Sequence, residues 1–268
     1  MSESVQGIAR QSRAARLGVV VVLAVCGLDL APAAAADGWV EVVGEARSIK
    51  GNDLLYTEHH RIHRSEGLPT RHLVSYRNAD GQDFATKQID YGRSVSSPAF
   101  EMTDSRDGYV EGARFEDERY LLYRIEPGKE EKTRELEFGP DLVTDAGFDA
   151  YVRQHIGRVL DGERLRFRLG LAGALRSVNF RARLIERFED PSGPAARIRV
   201  EPDSLLRFLI DPLELVYSLQ PLQLRAYRGR TNIRDVDGDA IDAVIRFDDE
   251  TPAEAPVLPP NKVDHEDD

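Results

Sequence analysis

The feature that most constrains this fold is alternation of apolar and polar residues. Leu165, Phe167, Leu169 and Leu171 alternate with Arg164, Arg166, Arg168 and Gly170. Val178, Phe180, Ala182 and Leu184 alternate with Ser177, Asn179, Arg181 and Arg183, and Ile198 and Val200 with Arg197 and Arg199. Successive side chains of a strand point to opposite faces, so these runs predict strands with one buried and one wet face. Further runs predict strands at Trp39–Arg47, Leu54–His63, His72–Arg77, Phe84–Tyr91, Tyr109–Phe115, Tyr120–Ile125, Glu135–Phe138, Leu213–Leu219, Leu222–Arg228 and Ala240–Phe247. Asp80-Gly81, Asp107-Gly108, Pro127-Gly128, Ser192-Gly193 and Asp237-Gly238 mark turns between them. This rhythm predicts a mainly β protein built on a curved antiparallel sheet, a half-barrel or a sandwich.

One segment follows the helical period instead. Phe148, Val152, His155, Ile156, Val159 and Leu160 recur at spacings that share a helix face, with Thr144 or Asp145 as N-cap and Gly162 where a C-terminal glycine belongs. A single amphipathic helix from about Asp145 to Leu160 is expected to cap the sheet, with Asp149, Arg153 and Arg158 toward water. Leu205–Ile210, after Asp203-Ser204, reads equally as a short helix or a strand.

The chain ends are of another kind. Arg10, Arg13 and Arg16 precede an apolar run of twelve residues, Leu17 to Leu28, and Ala34-Ala35-Ala36 supplies a signal-peptidase site. A spanning helix needs ~20 residues, so a cleaved leader is expected, with no transmembrane anchor in the mature chain. The expected organisation is a signal peptide over 1–36, one antiparallel β domain over 37–250, and a disordered, acidic, Pro-rich tail over 251–268. The expected compartment is the periplasm. The only cysteine, Cys26, lies within the leader; it offers the alternative of a lipid-anchored lipoprotein and otherwise leaves no disulfide or thiol chemistry. The formal net charge of −11 excludes non-specific binding to nucleic acid or an anionic membrane.

Three stretches carry a resemblance: Leu55-Tyr56-Thr57-Glu58-His59-His60 with Tyr76-Arg77-Asn78-Ala79-Asp80-Gly81, Thr144-Asp145-Ala146-Gly147-Phe148-Asp149 leading to Asp161-Gly162-Glu163, and Tyr227-Arg228-Gly229-Arg230-Thr231-Asn232-Ile233-Arg234-Asp235. The chain resembles a family of uncharacterised exported proteobacterial β-proteins over most of Trp39 to Phe247. In strand rhythm and compartment it is similar to the periplasmic lipoprotein carriers with LolA/LolB-like half-barrels. The resemblance carries no assigned activity and transfers no catalytic residue.

No G-x-S-x-G, H-E-x-x-H or phosphate-binding glycine loop is present. His59-His60-x-x-His63, with His72, gathers imidazoles, but on a strand His59 and His63 share one face and His60 takes the other, so no metal site is expected. Asp235-x-Asp237-Gly238-Asp239 lacks the spacing of a calcium loop and reads as a hairpin turn. Arg164, Arg166, Arg168, Arg181, Arg183, Arg197 and Arg199 fall on the polar phase of three successive strands, where they would either meet an anionic ligand or pair with neighbouring carboxylates. The expected function is a non-enzymatic binding or carrier protein for an apolar or amphipathic envelope ligand such as a lipid. Its expected ligand-binding residues are Phe148, Val152 and Ile156 on the helix and Arg164, Arg166, Arg168, Arg181 and Arg183 on the strands. No cofactor, metal or catalytic residue is implied. The alternatives are an envelope-polymer hydrolase working through carboxylates, and an accessory protein that binds another envelope protein through its sheet edge.

Overall fold

The structure, a computed structural model, describes residues 37–203 and 211–256. The expected leader, most of the Asp203–Ile210 segment and the end of the expected tail lie outside these residues. Sixteen strands form one open, curved sheet. Strands β1 (Gly38–Ser48), β2 (Leu54–Ser65), β3 (Leu68–Asn78), β4 (Asp83–Asp90), β5 (Ala99–Asp104), β6 (Tyr109–Glu116), β7 (Arg119–Ile125) and β8 (Lys132–Leu136) form a meander, each antiparallel to the one before. After β9 (Leu142–Thr144) and a helical segment, β10 (Leu165–Leu171), β11 (Arg176–Asp190), β12 (Gly193–Pro202), β13 (Leu213–Leu219), β14 (Leu222–Arg234) and β15 (Ala240–Phe247) form a second meander. The two meet where β1 pairs with β15, Gly44 opposite Phe247 and Ser48 opposite Ala243. β16 (Thr251–Ala253) continues along β1 opposite Trp39–Glu41. The strands from the two ends of the described chain therefore lie in mid-sheet, and strands from its middle, β8 and β9, form the edges.

Most alternating runs become strands close to their expected places. The sheet is antiparallel except for β9, which pairs parallel to β10. Three strands were not expected. β5 hides a buried Asp104 in the inward phase that Phe100 and Met102 begin. β9 is too short to show a period. β16 begins at the residue where the tail was expected to start, so the ordered sheet runs three residues beyond 250. β8 lies a few residues before its expected position; Lys132 to Glu135 are exposed, and pairing with β7 sets their place.

The expected single helix is divided. A 3-10 turn (Asp145–Gly147) leads into α1 (Phe148–Gln154), and α2 (Ile156–Leu160) follows. His155 leaves helical geometry (φ −109°, ψ 10°), and its Nδ1 lies 2.9 Å from Tyr151 O, so a side chain engages the carbonyl where the helix is interrupted. Thr144 and Asp145 give no side-chain cap, whereas Gly162 has the positive φ expected of a helix C-terminus.

The helical segment lies on the inner face of the sheet. Val152 and Val159 are fully buried against Phe167, Phe180, Ile198 and Leu215, with Phe148 and Ile156 packed around them. This inner face runs unbroken between the two meanders, because Ala46, Ile245, Tyr227, Leu215 and Ile198 are paired in succession across five strands. A second apolar cluster gathers Tyr56, Val74, Tyr76, Phe84 and Ile245, and a third gathers Ile89, Phe100, Tyr120, Leu122 and Leu136. No helix of the described residues is long and apolar enough to cross a membrane.

Candidate functional site

Between the second and third clusters the inner wall becomes polar. Strand register aligns His60, Val74, Lys87, Met102, Glu111 and Arg124, one from each of β2 to β7. Glu58 stands two residues before His60 on the same face, and His72 two before Val74. The helical segment, a plug over residues 145–160, reaches into this band at Asp145, whose carboxylate lies 2.5 Å from Lys87 Nζ and 3.3 Å from Asn232 Nδ2. Glu111 is buried, and its Oε2 accepts a hydrogen bond from the Tyr109 hydroxyl at 2.8 Å. Burial, reinforced by the charge of Asp145, pushes the Glu111 carboxyl up to about 7. Burial also holds His72 well below the ordinary imidazole range, helped by His60, Lys87 and Arg64.

The plug turn is seated beside this band. Thr144 N donates to Ser96 O at 3.0 Å, Ser97 Oγ to Leu142 O at 2.6 Å, and the Tyr91 hydroxyl to Ala146 O at 3.1 Å. Gly147 fits because a Cβ there would run into the Ser96 carbonyl. Farther along, Tyr217 donates to Asp149 at 2.9 Å, and Arg153 bridges Asp149 and Glu250.

A cleft of about 290 Å³ opens at the end of the wall where the β3–β4, β5–β6 and β14–β15 turns gather. Leu55, Tyr56, Phe84, Ile233 and Ile241 supply its apolar surface, with Gln82, Asp83, Ser105 and Arg106 among its polar residues. Arg106 lies 4.4 Å from the centre of the Phe84 ring and makes a two-point ion pair with buried Asp104 at 2.9 and 2.6 Å. The Tyr56 hydroxyl is buried and has no hydrogen-bond partner among the described residues. Burial and nearby Glu58 raise its pKa well above the ordinary phenol value, so it keeps its proton.

The expected site residues divide between the two faces of the sheet. Phe148, Val152 and Ile156 face the inner core. Arg166, Arg168, Arg181 and Arg183 alternate with inward Leu165, Phe167, Phe180 and Ala182 and so lie on the outer face. There Arg166 pairs with Asp203, Arg168 with Asp141, Arg181 with Glu201 and Asp203, and Arg183 with Glu201. Arg197 and Arg199 pair with Glu186 and Glu214. Arg164 precedes β10 and is exposed. Helix and arginines thus form no common site.

Of the histidines, His60 turns inward to meet His72. His59 lies 3.1 Å from Thr57 Oγ1, and His63 lies 2.6 Å from Thr70 Oγ1. No cluster of His, Cys, Asp and Glu suited to a metal ion occurs among the described residues. At Asp235–Asp239 the structure has a hairpin turn: the Asp235 carboxylate accepts from the backbone N–H of Asp237 and Asp239. The inward row of ionisable groups escaped sequence reasoning because its members come from separate strands. A charged residue in the apolar phase, such as Lys87 between Ala85 and Ile89, was the available signal.

The chain matches no protein-family profile and no curated protein sequence. Among solved structures it is similar to the crystal structure of a beta-barrel-like protein of domain of unknown function DUF1849 from Brucella abortus. That similarity has 10% sequence identity and a TM-score of 0.42, and covers 82% of this chain and 100% of that one.

Proposed function

We propose that this is a non-enzymatic binding or carrier protein of the cell envelope, whose ligand is small and amphipathic. The observation that carries the reading is the cleft: an apolar surface with a polar rim suits a molecule with one apolar and one hydrogen-bonding end. The comparison with lipoprotein-carrier half-barrels belongs to the same reading, with α1 and α2 as the element that an apolar chain would displace. The outer arginines, already neutralised by carboxylates, are a secondary surface in this scheme. A polymer hydrolase is less favoured, because Glu111, the carboxyl poised nearest neutrality, is buried within the wall. Docking through the sheet edge is less favoured too, because β8 presents Lys132, Arg134 and Glu135, charges that discourage strand addition.

Binding of a fluorescent fatty acid tests the proposal. The wild-type chain should bind it, Ile241→Trp should fill the cleft and abolish binding, and an unchanged affinity in that variant would sink the reading. Ile156→Ala separates plug from lid. If the helix only fills the core, the change should destabilise by about 2–5 kcal/mol without added uptake. If it lids an apolar space between itself and the sheet, the loss should be smaller and uptake should rise.

A further inference from the structure

A largely buried hydrogen-bonded chain crosses the polar band and ends on the plug. Glu58 Oε2 lies 2.9 Å from His60 Nε2, and His60 Nδ1 lies 2.9 Å from His72 Nε2. His72 Nδ1 lies 3.5 Å from the Tyr91 hydroxyl, which lies 3.1 Å from Ala146 O. A carboxylate stands at one end and a backbone carbonyl at the other, and neither can donate. The chain therefore has four contacts to fill. Neutral His60, neutral His72 and Tyr91 offer one proton each, so the chain is one proton short.

Where that vacancy falls is set by the distances. Between His60 and His72 it would set two lone pairs 2.9 Å apart. Between Glu58 and His60 it would set a carboxylate against a ring lone pair at the same distance. The longest contact is the one beside Tyr91. Without an added proton, Tyr91 must serve both His72 and Ala146 with a single O–H. With one, His60 donates to both Glu58 and His72, His72 donates from Nδ1 to Tyr91, and Tyr91 is free to donate to Ala146.

We propose that the Glu58–His60 pair is a proton-operated latch: one proton taken up there completes the chain and holds the plug turn at Ala146, and its loss loosens that turn. The latch needs no ligand and stands apart from the carrier reading. Ionisable groups around it are Tyr56, Glu58 and Arg64 of β2, His72 and Tyr76 of β3, Lys87 and Tyr91 of β4 and its end, Tyr227 of β14, and Asp145, Asp149 and Arg153 of the helical segment. Glu250 joins them, paired with both Arg64 and Arg153. β1 contributes Val42 opposite His60, and β15 the Phe247 ring 5.7 Å from it. The seated state binds the proton more tightly than the loosened one. Seating is therefore strongest at low pH and weakens as pH rises through the titration of the pair.

Imidazole nitrogen NMR on the ¹⁵N-labelled full chain between about pH 5 and 8, the range in which histidine charge ordinarily changes, tests the latch. His72 should switch from its Nδ1–H to its Nε2–H tautomer as His60 loses its proton. Hydrogen-exchange protection factors over 146–156 should fall roughly two- to tenfold across the same step, the equivalent of one net hydrogen bond. Tyr91→Phe should keep the His60 titration and lose the step in protection, while Glu111→Gln should keep both. His72 held in one tautomer throughout would overturn the proposal, as would a step in protection that survives Tyr91→Phe and vanishes in Glu111→Gln. Should Tyr91→Phe fail to fold, the wild-type tautomers decide alone.

Discussion

The inner wall of the sheet is filled in two ways. From β10 to β13 it is apolar, and Phe167, Phe180, Ile198 and Leu215 close around Val152 and Val159 of the plug. From β2 to β7 apolar clusters flank a polar band holding Glu58, His60, Lys87, Glu111 and Arg124. The strand geometry is the same, so the difference lies in what each wall loses when it is perturbed. The first is held by area removed from water and responds to volume. The second is held by charges that neutralise one another out of water and responds to pH and to the loss of a partner. An element seated on both walls, as the plug is, inherits both kinds of sensitivity.

The apolar wall is the more vulnerable to a loss of volume. Phe167→Ala should lower stability by about 3–5 kcal/mol, the range for an aromatic side chain lost from a packed core, with little dependence on pH. Denaturant unfolding at two pH values checks it, and a strongly pH-dependent loss would show that the walls are not separable.

A smaller effect is expected from titrating the polar wall. Glu111 has a folded-state pKa of about 7, raised above its ordinary value of 4.5. The native chain then holds a proton that the unfolded chain releases, so stability should be fully present below about pH 4.5 and fall as pH rises toward 7, by up to about 3 kcal/mol. Glu111→Gln should flatten that slope, and thermal melts across the window would show whether it does.

Next in size is the ion pair at the plug. Lys87→Met should destabilise by roughly 1–3 kcal/mol, less than the loss of a fully buried pair, because the Asp145 side chain is 33% exposed. It should also raise amide exchange over 145–154 more than over β11, and equal change in both would mean that Lys87 does not serve the seat.

The smallest effect belongs to the outer face. Arg166, 68% exposed and paired with Asp203, should be replaceable by Ala at a loss of roughly 0–1 kcal/mol that high salt removes. A larger, salt-resistant loss would assign the outer arginines a role that pairing does not explain.

The apolar wall was legible in the sequence because its code is local. Leu165, Phe167 and Leu169 announce their face by spacing alone, and so do Phe148, Val152 and Ile156. The break at His155 was not legible, because the same residue satisfies the helical period that it interrupts. The polar band was hidden for a different reason. His60, Lys87, Glu111 and Arg124 become neighbours only through the registers of five successive strand pairs, and no single segment contains that information. Asp104 shows the cost to sequence reasoning: one buried carboxylate, balanced by Arg106, removed β5 from the pattern of alternating runs.

The seam between β1 and β15 carries a consequence for how the chain assembles. Each meander pairs strands that are neighbours in sequence, and such local contacts form early. The pairing of Gly44 with Phe247 must instead wait for almost the whole described chain. A chain emerging N-terminus first therefore holds the outer edge of β1 open until β15 arrives. For that interval Trp39 to Ser48, paired with β2 on one side only, is an edge strand exposed to any other strand that meets it. Completion of the sheet and protection of its earliest strand are a single late event, which makes the last β-segments the point at which truncation would be least tolerated.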